Sequence, residues 1–133
     1  MTDKETKNTV KYWETTSKRD YDTMLGLFKI KRYPESLFFA HIILEKSLKA
    51  LVVKQTKEQA PYIHDLTKLA ELAKIVFDEE TLDILDTIND FNIRARYPEH
   101  KLKLYKLCTS RYTEDKLNEV KKIFKFLWHQ HQK

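Results

Sequence analysis

A short polar segment of the chain concentrates side chains that bind phosphate and move protons. Residues 92–100 include an amide, two guanidinium groups, a phenol and an imidazole, which belong to Asn92, Arg94, Arg96, Tyr97 and His100. An arginine fork donates two parallel hydrogen bonds to a phosphate, and an imidazole can take or give a proton near neutral pH. These groups could cleave RNA without a metal, with His100 as the base for a ribose 2′-hydroxyl and Arg94 stabilising the developing charge.

The same segment also has a purely structural interpretation. Six acidic residues lie between Lys74 and Arg94, an interval without any Lys or Arg. Arg94 and Arg96 could pair with these carboxylates, while Tyr97 and Pro98 pack as a turn. Both interpretations stay open at the level of the sequence.

Two further histidines lie in, or directly before, regions expected to be helical. His41 lies in the longest apolar stretch with Glu45 four residues later, a spacing typical of a hydrogen-bonded core or interface histidine. His64 precedes Asp65 at a helix start, where both side chains can satisfy free backbone donors or hold the incoming loop. We therefore expect structural roles for both histidines.

No metal or cofactor is predicted. His129 and His131 are only two residues apart, which is poor metal geometry on a helix, and we interpret them as tail residues. Cys108 is the only cysteine, so the chain can form neither an internal disulfide nor a thiolate zinc site. Gly26 is the only glycine, which excludes the glycine-rich loops of Walker and Rossmann sites. We expect a cytoplasmic protein, because residues 1–10 are polar and no apolar run is long enough to span a membrane.

The charge is uneven along the chain. The formal net charge is +5, yet residues 1–100 carry 16 basic and 17 acidic side chains, against 9 basic and 3 acidic ones in residues 101–133. Tyr105 and Tyr112 could provide stacking faces among these lysines, so the C-terminal part could bind a polyanion. A solvated helix face is the alternative explanation.

The scarcity of glycine and proline predicts an all-α fold in one domain, residues 1–133. We expect an antiparallel up-and-down four-helix bundle with one additional short helix. The second helix is apolar around most of its circumference and should be the central one, while Gly26 should mark a close helix contact. Residues 98–112 lack a clear period and are expected to form a loop or short turn. The predicted helices cover residues 7–31, 34–54, 65–76, 78–96 and 113–129.

Three stretches in this order resemble the HEPN family (higher eukaryotes and prokaryotes nucleotide-binding domain). They are residues 39–51 with Glu45, Lys46, Lys49 and Ala50, then residues 63–66 with Leu69, and finally Arg96-Tyr97-Pro98. The resemblance covers about residues 15–128. It implies a helical bundle and a homodimer.

The resemblance leaves two functions open. Many members of the family are metal-independent ribonucleases in which an Arg, four to six residues and a His from two copies form one site. Arg94 and His100 enclose five residues, although Ala95 stands where those enzymes usually have a polar residue. Other members accompany a minimal nucleotidyltransferase, often as toxin and antitoxin, and the Arg96-Tyr97-Pro98 form is more similar to that branch.

The resemblance therefore favours a dimeric module that binds a nucleotide or RNA phosphate through Arg94, Arg96, Tyr97 and His100 beside a nucleotidyltransferase partner. A ribonuclease that uses Arg94 and His100 is the alternative. A non-catalytic structural interaction module is the third possibility.

Overall fold

The structure, a computed structural model, describes all residues from 1 to 133 and contains six helices and no strand, which confirms the all-α prediction. The helices are α1 (Asp3–Lys29), α2 (Tyr33–Thr56), α3 (Leu66–Leu72), α4 (Glu79–Arg94), α5 (Pro98–Leu107) and α6 (Ser110–His131).

Local sequence signals set the helix ends. Thr2 begins α1 with a capping box in which its hydroxyl accepts from the Glu5 N–H and the Glu5 carboxylate accepts from the Thr2 N–H. Asp65 and Asp78 cap α3 and α4, each through a side-chain oxygen. The third helix ends earlier than expected, at Leu72, because Lys74 takes up a left-handed conformation with φ 58°.

The second helix is the centre of the molecule, as its apolar sequence predicts. All five other helices pack against α2, and α1 does so along the greatest length. Thirteen residues of α2 are buried. Its Leu37, Ile43, Leu44 and Leu48 are fully buried in a core cluster of 22 side chains to which every helix contributes. Burying this apolar area is the main source of stability for such a fold.

Two local predictions are wrong. Residues 98–107 form the helix α5 instead of a loop, so the fold has two short helices and not one. Only Leu104 of α5 is buried, and one inward residue cannot produce a recognisable helical period. Gly26 is not a close helix contact either, because a Cβ atom at this position would meet nothing within 4 Å.

Three helix ends meet on one side of the molecule. The chain leaves α4 at Arg94 and enters α5 at Pro98, so only residues 95–97 connect the two helices. Tyr97 is extended, with φ −115° and ψ 120°, as expected for a residue that precedes proline. The N-terminus of α3 lies beside α4, where the Asn89 side chain accepts from the Leu66 N–H at 3.0 Å. The fold thereby brings residues near 65, 92 and 97 together.

Candidate functional site

A cavity of about 320 Å³ opens where α3, α4 and the α4–α5 connection meet. Two predicted binding residues, Arg96 and Tyr97, line it, and both side chains are accessible to solvent. Ile93 is an apolar part of the wall, and the polar part consists of His64, Asp65, Asn89 and Asn92. The cavity thus combines a guanidinium, a phenol, an imidazole and two amides over one small volume.

His64 is fixed in the cavity wall by a carboxylate of the central helix. Its Nδ1 lies 3.0 Å from Oε1 of Glu45, whose side chain is only 15% exposed. Lys49 donates to the other carboxylate oxygen at 3.0 Å, and His41 Nδ1 lies 3.6 Å from Oε1. Glu45 therefore connects three side chains, of which His64 lines the cavity.

His41 supports the same loop through a backbone hydrogen bond. The side chain is buried, and its Nε2 donates to the backbone oxygen of His64 at 2.8 Å. Burial lowers the pKa of His41, and the nearby Glu45 carboxylate only partly opposes this shift. The expected core histidine is confirmed, although its hydrogen bond goes to the loop carbonyl and not to Glu45.

Asp65 fixes the next residue of the wall. One carboxylate oxygen accepts from the N–H groups of Thr67 and Lys68, and it also accepts from the Asn89 amide at 3.0 Å. Partial burial acts to raise the pKa of Asp65, but these hydrogen bonds outweigh it and the pKa is lowered. The predicted capping role of the His64-Asp65 pair is confirmed for Asp65.

The two predicted arginines have different surroundings. Arg94 Nε lies 2.9 Å from Asp90 Oδ2, one helical turn earlier, so Arg94 does pair with the acidic stretch. Arg94 is not part of the cavity lining. Arg96 takes part in none of the ion pairs of the chain, and its guanidinium remains available to a ligand at the cavity.

His100 lies beside the cavity and not in its lining. It is exposed in the first turn of α5, and its ring meets the Tyr97 ring edge to face with a centroid distance of 6.4 Å. The structure therefore brings Arg96 and Tyr97 together with His64, and leaves Arg94 and His100 outside that group. Sequence reasoning missed Asn89 and the position of His64 in the cavity wall. The His64-Asp65 pair was the available signal.

Comparison with known proteins identifies the family. The family model of the HEPN domain matches residues 10–130. The chain belongs to the HEPN domain family.

One solved structure has the same overall fold as this HEPN domain. It is the crystal structure of TT1696 from Thermus thermophilus, with a TM-score of 0.74 and 20% sequence identity. The match covers 92% of the HEPN domain and 98% of TT1696. No curated protein sequence matches significantly.

Basic C-terminal residues of the HEPN domain line two different grooves. Lys121, Lys122 and Lys125 lie with Lys18 along a groove of about 660 Å³ between α1 and α6, together with Tyr21, Asp22, Phe124 and Trp128. Lys101 and Tyr105 line a separate groove beside α2. Tyr112 is half-buried, with its ring edge against Phe91 and the Lys116 ammonium over it.

The interpretation of His131 as a tail residue is wrong. Its ring is buried against α2, with Nε2 3.0 Å from the Ser47 hydroxyl and Nδ1 3.4 Å from Glu14 Oε1. Lys54 donates to the His131 backbone oxygen at 2.7 Å. His129 is exposed, as expected.

Two general features complete the description of the HEPN domain. None of its helices has the length and apolar character required to cross a bilayer. No three His, Cys, Asp or Glu side chains are grouped in a way that could hold a metal ion.

Proposed function

We propose that this HEPN domain binds the phosphate and base of a nucleotide or of RNA in the cavity between α3, α4 and α5. The proposal rests on one observation: Arg96 and Tyr97 line a cavity of about 320 Å³ together with amide and imidazole side chains. A guanidinium, an aromatic face and amides are the groups with which proteins hold phosphate and unstacked bases.

Each group has a distinct part in the proposed complex. Arg96 holds the phosphate, since it has no carboxylate partner of its own, and Tyr97 stacks on the base. Asn92 offers its amide to the base edge. The negative charge of Asp65 keeps the phosphate at the Arg96 side of the cavity. Arg94 and His100 would then contact a neighbouring phosphate of a longer RNA.

We propose further that the domain is a homodimer. Five large apolar side chains are exposed between α4 and the end of α5: Ile93, Tyr97, Leu102, Tyr105 and Leu107. An exposed apolar patch of this kind on a small domain is typical of a protein interface. We also infer that α1, α2, α4 and α6 form an antiparallel up-and-down four-helix bundle.

The proposed partner is a minimal nucleotidyltransferase, in a pair of the toxin and antitoxin kind. This part of the proposal rests on the resemblance carried by Arg96-Tyr97-Pro98. The exposed carboxylates of α4, which include Glu79, Asp83 and Asp86, offer a basic partner a complementary surface.

A metal-independent ribonuclease that uses Arg94 and His100 is the second candidate. The edge-to-face contact of His100 with Tyr97 favours it, because this contact holds the imidazole next to a cavity-lining side chain. A structural interaction module without any ligand is the third.

Binding of a short fluorescent single-stranded RNA and of a labelled mononucleotide tests the proposal. We expect Arg96→Ala to weaken RNA binding about tenfold, because one phosphate contact is lost. The slope of the logarithm of the binding constant against the logarithm of the salt concentration should become less steep by about one. Tyr97→Ala should weaken it by about 1–3 kcal/mol through the lost stacking. Arg19→Ala is the matched control, because it removes the same charge from an exposed position on α1. Equal binding by Arg96→Ala and Arg19→Ala would contradict the proposal.

A further inference from the structure

Two grooves of the domain are lined by the same face of α1. One groove, of about 660 Å³, lies between α1 and α6, and the other, of about 680 Å³, lies between α1 and the end of α2. The second groove includes Lys7, Lys11 and Glu14 of α1, and the first begins at Lys18. These four residues follow one another at steps of four, three and four, which places them on one side of a helix. The two grooves therefore follow one another along α1.

The lining of both grooves is strongly basic. Each groove has four lysines, and the two grooves together have only three carboxylates, which belong to Asp3, Glu14 and Asp22. None of these lysines takes part in an ion pair of the chain. We call this surface the basic stripe; its lysines are Lys7, Lys11, Lys18, Lys54, Lys57, Lys121, Lys122 and Lys125.

The basic stripe is long enough for an extended polyanion. From Asp3 to Asp22, α1 rises about 28 Å at about 1.5 Å per residue. Nucleotides of a stacked strand are about 3.4 Å apart, so this length corresponds to about eight nucleotides. A mononucleotide can contact only a small part of such a surface.

The composition of the basic stripe favours a nucleic-acid backbone over a protein or a lipid bilayer. Lysine is depleted in protein interfaces, whereas its contacts with phosphates supply most of the affinity in non-specific nucleic-acid complexes. Surfaces that bind membranes insert large apolar side chains. None of the large exposed apolar side chains of the domain lines either groove.

The aromatic rings of the stripe are already packed against neighbours. The Lys18 ammonium lies over the Trp128 ring at 4.5 Å, and Phe124 is stacked between Trp128 and Tyr21 with centroid distances of 6.2 and 5.1 Å. The lysines therefore provide the principal contacts to a ligand. An ammonium is a point charge without the fixed geometry of a guanidinium fork, so it attracts phosphates without reading bases.

We propose that the basic stripe along α1 binds the phosphodiester backbone of a single-stranded nucleic acid, independently of its base sequence. It is a binding surface in addition to the cavity between α3, α4 and α5, so this inference goes beyond the proposed function and does not require a ligand in that cavity. The lysines neutralise phosphates and release their counterions, and the affinity therefore falls steeply as the salt concentration rises.

A triple variant, Lys11→Gln/Lys122→Gln/Lys125→Gln, tests the basic stripe at both grooves and leaves Lys18 on Trp128. Its binding of a labelled oligouridylate of about ten nucleotides is measured by fluorescence anisotropy over a range of salt concentrations. We expect binding at least about 30-fold weaker than that of the wild type. The slope of the logarithm of the binding constant against the logarithm of the salt concentration should become less steep by about two, since three contacts at about 0.7 each are lost.

The matched control is Arg19→Gln/Lys103→Gln/Arg111→Gln, which removes three positive charges from exposed residues outside both grooves. It should bind within about threefold of the wild type. Glutamine has a helix propensity close to that of lysine, so both variants should keep the circular dichroism and melting temperature of the wild type. Arginine at the same three stripe positions retains the charge and should restore binding.

Two further ligands separate the stripe from the cavity. Single-stranded DNA of the same length should lose the same affinity in the stripe variant, because the lysines contact phosphates and no 2′-hydroxyl. A labelled mononucleotide should bind the stripe variant as it binds the wild type and should lose affinity in Arg96→Ala.

Three results would overturn the inference. Equal RNA binding by the stripe variant and its control would do so and would leave the proposed function of the cavity in place. Tighter binding of a polyglutamate peptide than of the oligouridylate, lost in the stripe variant, would assign the stripe to an acidic protein segment. A wild type that binds the mononucleotide but no oligonucleotide would overturn the inference alone, whereas binding of the oligonucleotide without the mononucleotide would contradict only the cavity.

Discussion

Ser47 Oγ and His131 Nε2 lie 3.0 Å apart, although 84 residues separate them in the chain. The contact joins the middle of α2 to the last turn of α6, and Lys54 strengthens it by donating to the His131 backbone oxygen. Trp128 covers the imidazole from the same helix, with a centroid distance of 5.6 Å. The C-terminus of α6 is thus an integral part of the core.

The buried His131 makes stability depend on pH. Burial lowers its pKa from 6.5 to about 4, the Lys54 charge acts in the same direction, and Ser47 opposes them. This pKa is below that of the same histidine in the unfolded chain. The contribution of neutral His131 to the free energy of unfolding is therefore fully present above about pH 6.5 and is lost as the pH falls towards 4. The full loss corresponds to about 3 kcal/mol. Urea unfolding between pH 7.5 and 4 measures it.

His131→Gln gives the comparison, since its amide can still bond to the Ser47 hydroxyl without titrating. We expect this variant to be less stable than the wild type near neutral pH and more stable near pH 4. Glu14 faces the ring, and burial raises its pKa, so the protonation of Glu14 also contributes to the pH dependence. His129→Gln is the exposed control. If the free energies of unfolding of the wild type and of His131→Gln changed with pH in parallel, the prediction would be contradicted.

Asn89 joins the N-terminus of α3 to α4. Its side chain accepts from the Leu66 N–H and donates to Asp65, each at 3.0 Å. Asn89→Ala leaves that N–H of a fully buried residue without a partner, so we expect the free energy of unfolding to fall by about 1–3 kcal/mol. Chemical denaturation measures the change. Asn118→Ala, on the exposed face of α6, should cost nothing; equal losses at both positions would refute the assigned role.

Cys108 should be an inert thiol in the folded protein. It is 4% exposed, and burial raises its pKa to about 11, with the Glu35 charge acting in the same direction. Since the thiolate is the reactive form, we expect a thiol reagent at about pH 8 to label the native chain very slowly and the urea-unfolded chain at once. Rapid native labelling, at a rate that is independent of added denaturant, would show that the residue is accessible.

The five exposed apolar side chains between the end of α4 and the end of α5 should form the interface of the proposed homodimer. Leu102 is 71% exposed, the largest exposed fraction among these five side chains, and Leu102→Glu places a charge in the proposed interface. Sedimentation equilibrium should give twice the 16.0 kDa of the chain for the wild type and a single chain for Leu102→Glu. Val76→Glu, at an apolar residue that is 94% exposed elsewhere, should remain a dimer. A monomeric wild type would remove this part of the proposal.

Arg94→Ala and His100→Ala test the ribonuclease candidate that uses these two residues. If the domain binds RNA without cleaving it, the wild type, Arg94→Ala and His100→Ala should all leave a single-stranded RNA intact in EDTA, because His100 is outside the cavity lining. Arg94→Ala loses only an exposed pair with Asp90 and should fold normally. A loss of about 100-fold in both variants, with cyclic phosphate ends from the wild type, would instead assign the reaction to Arg94 and His100.

Local patterns in the sequence were sufficient for much of the fold and part of the candidate site. The apolar circumference of α2 predicts its central position, and the capping oxygens of Asp65 and Asp78 act within three residues of themselves. The pair between Arg94 and Asp90 is one helical turn long and could be anticipated for the same reason. Arg96 and Tyr97, which line the cavity, could be selected as candidate binding residues because their chemistry depends on residue type.

The rest depended on contacts between residues that are distant in the chain. Periodicity does not indicate which histidine finds a partner, and so His131, held by a residue 84 positions away, was mistaken for a tail residue. His64 enters the cavity wall only because Glu45 of α2 and Asn89 of α4 fix the loop that carries it. α5 has one buried residue, too few for a sequence period. The sequence by itself determines the helix caps, the apolar faces and the ion pairs within one helical turn, because these depend on neighbouring residues. The places of His131, His64 and α5 arise from side-chain packing and hydrogen bonds that exist only once the helices have assembled.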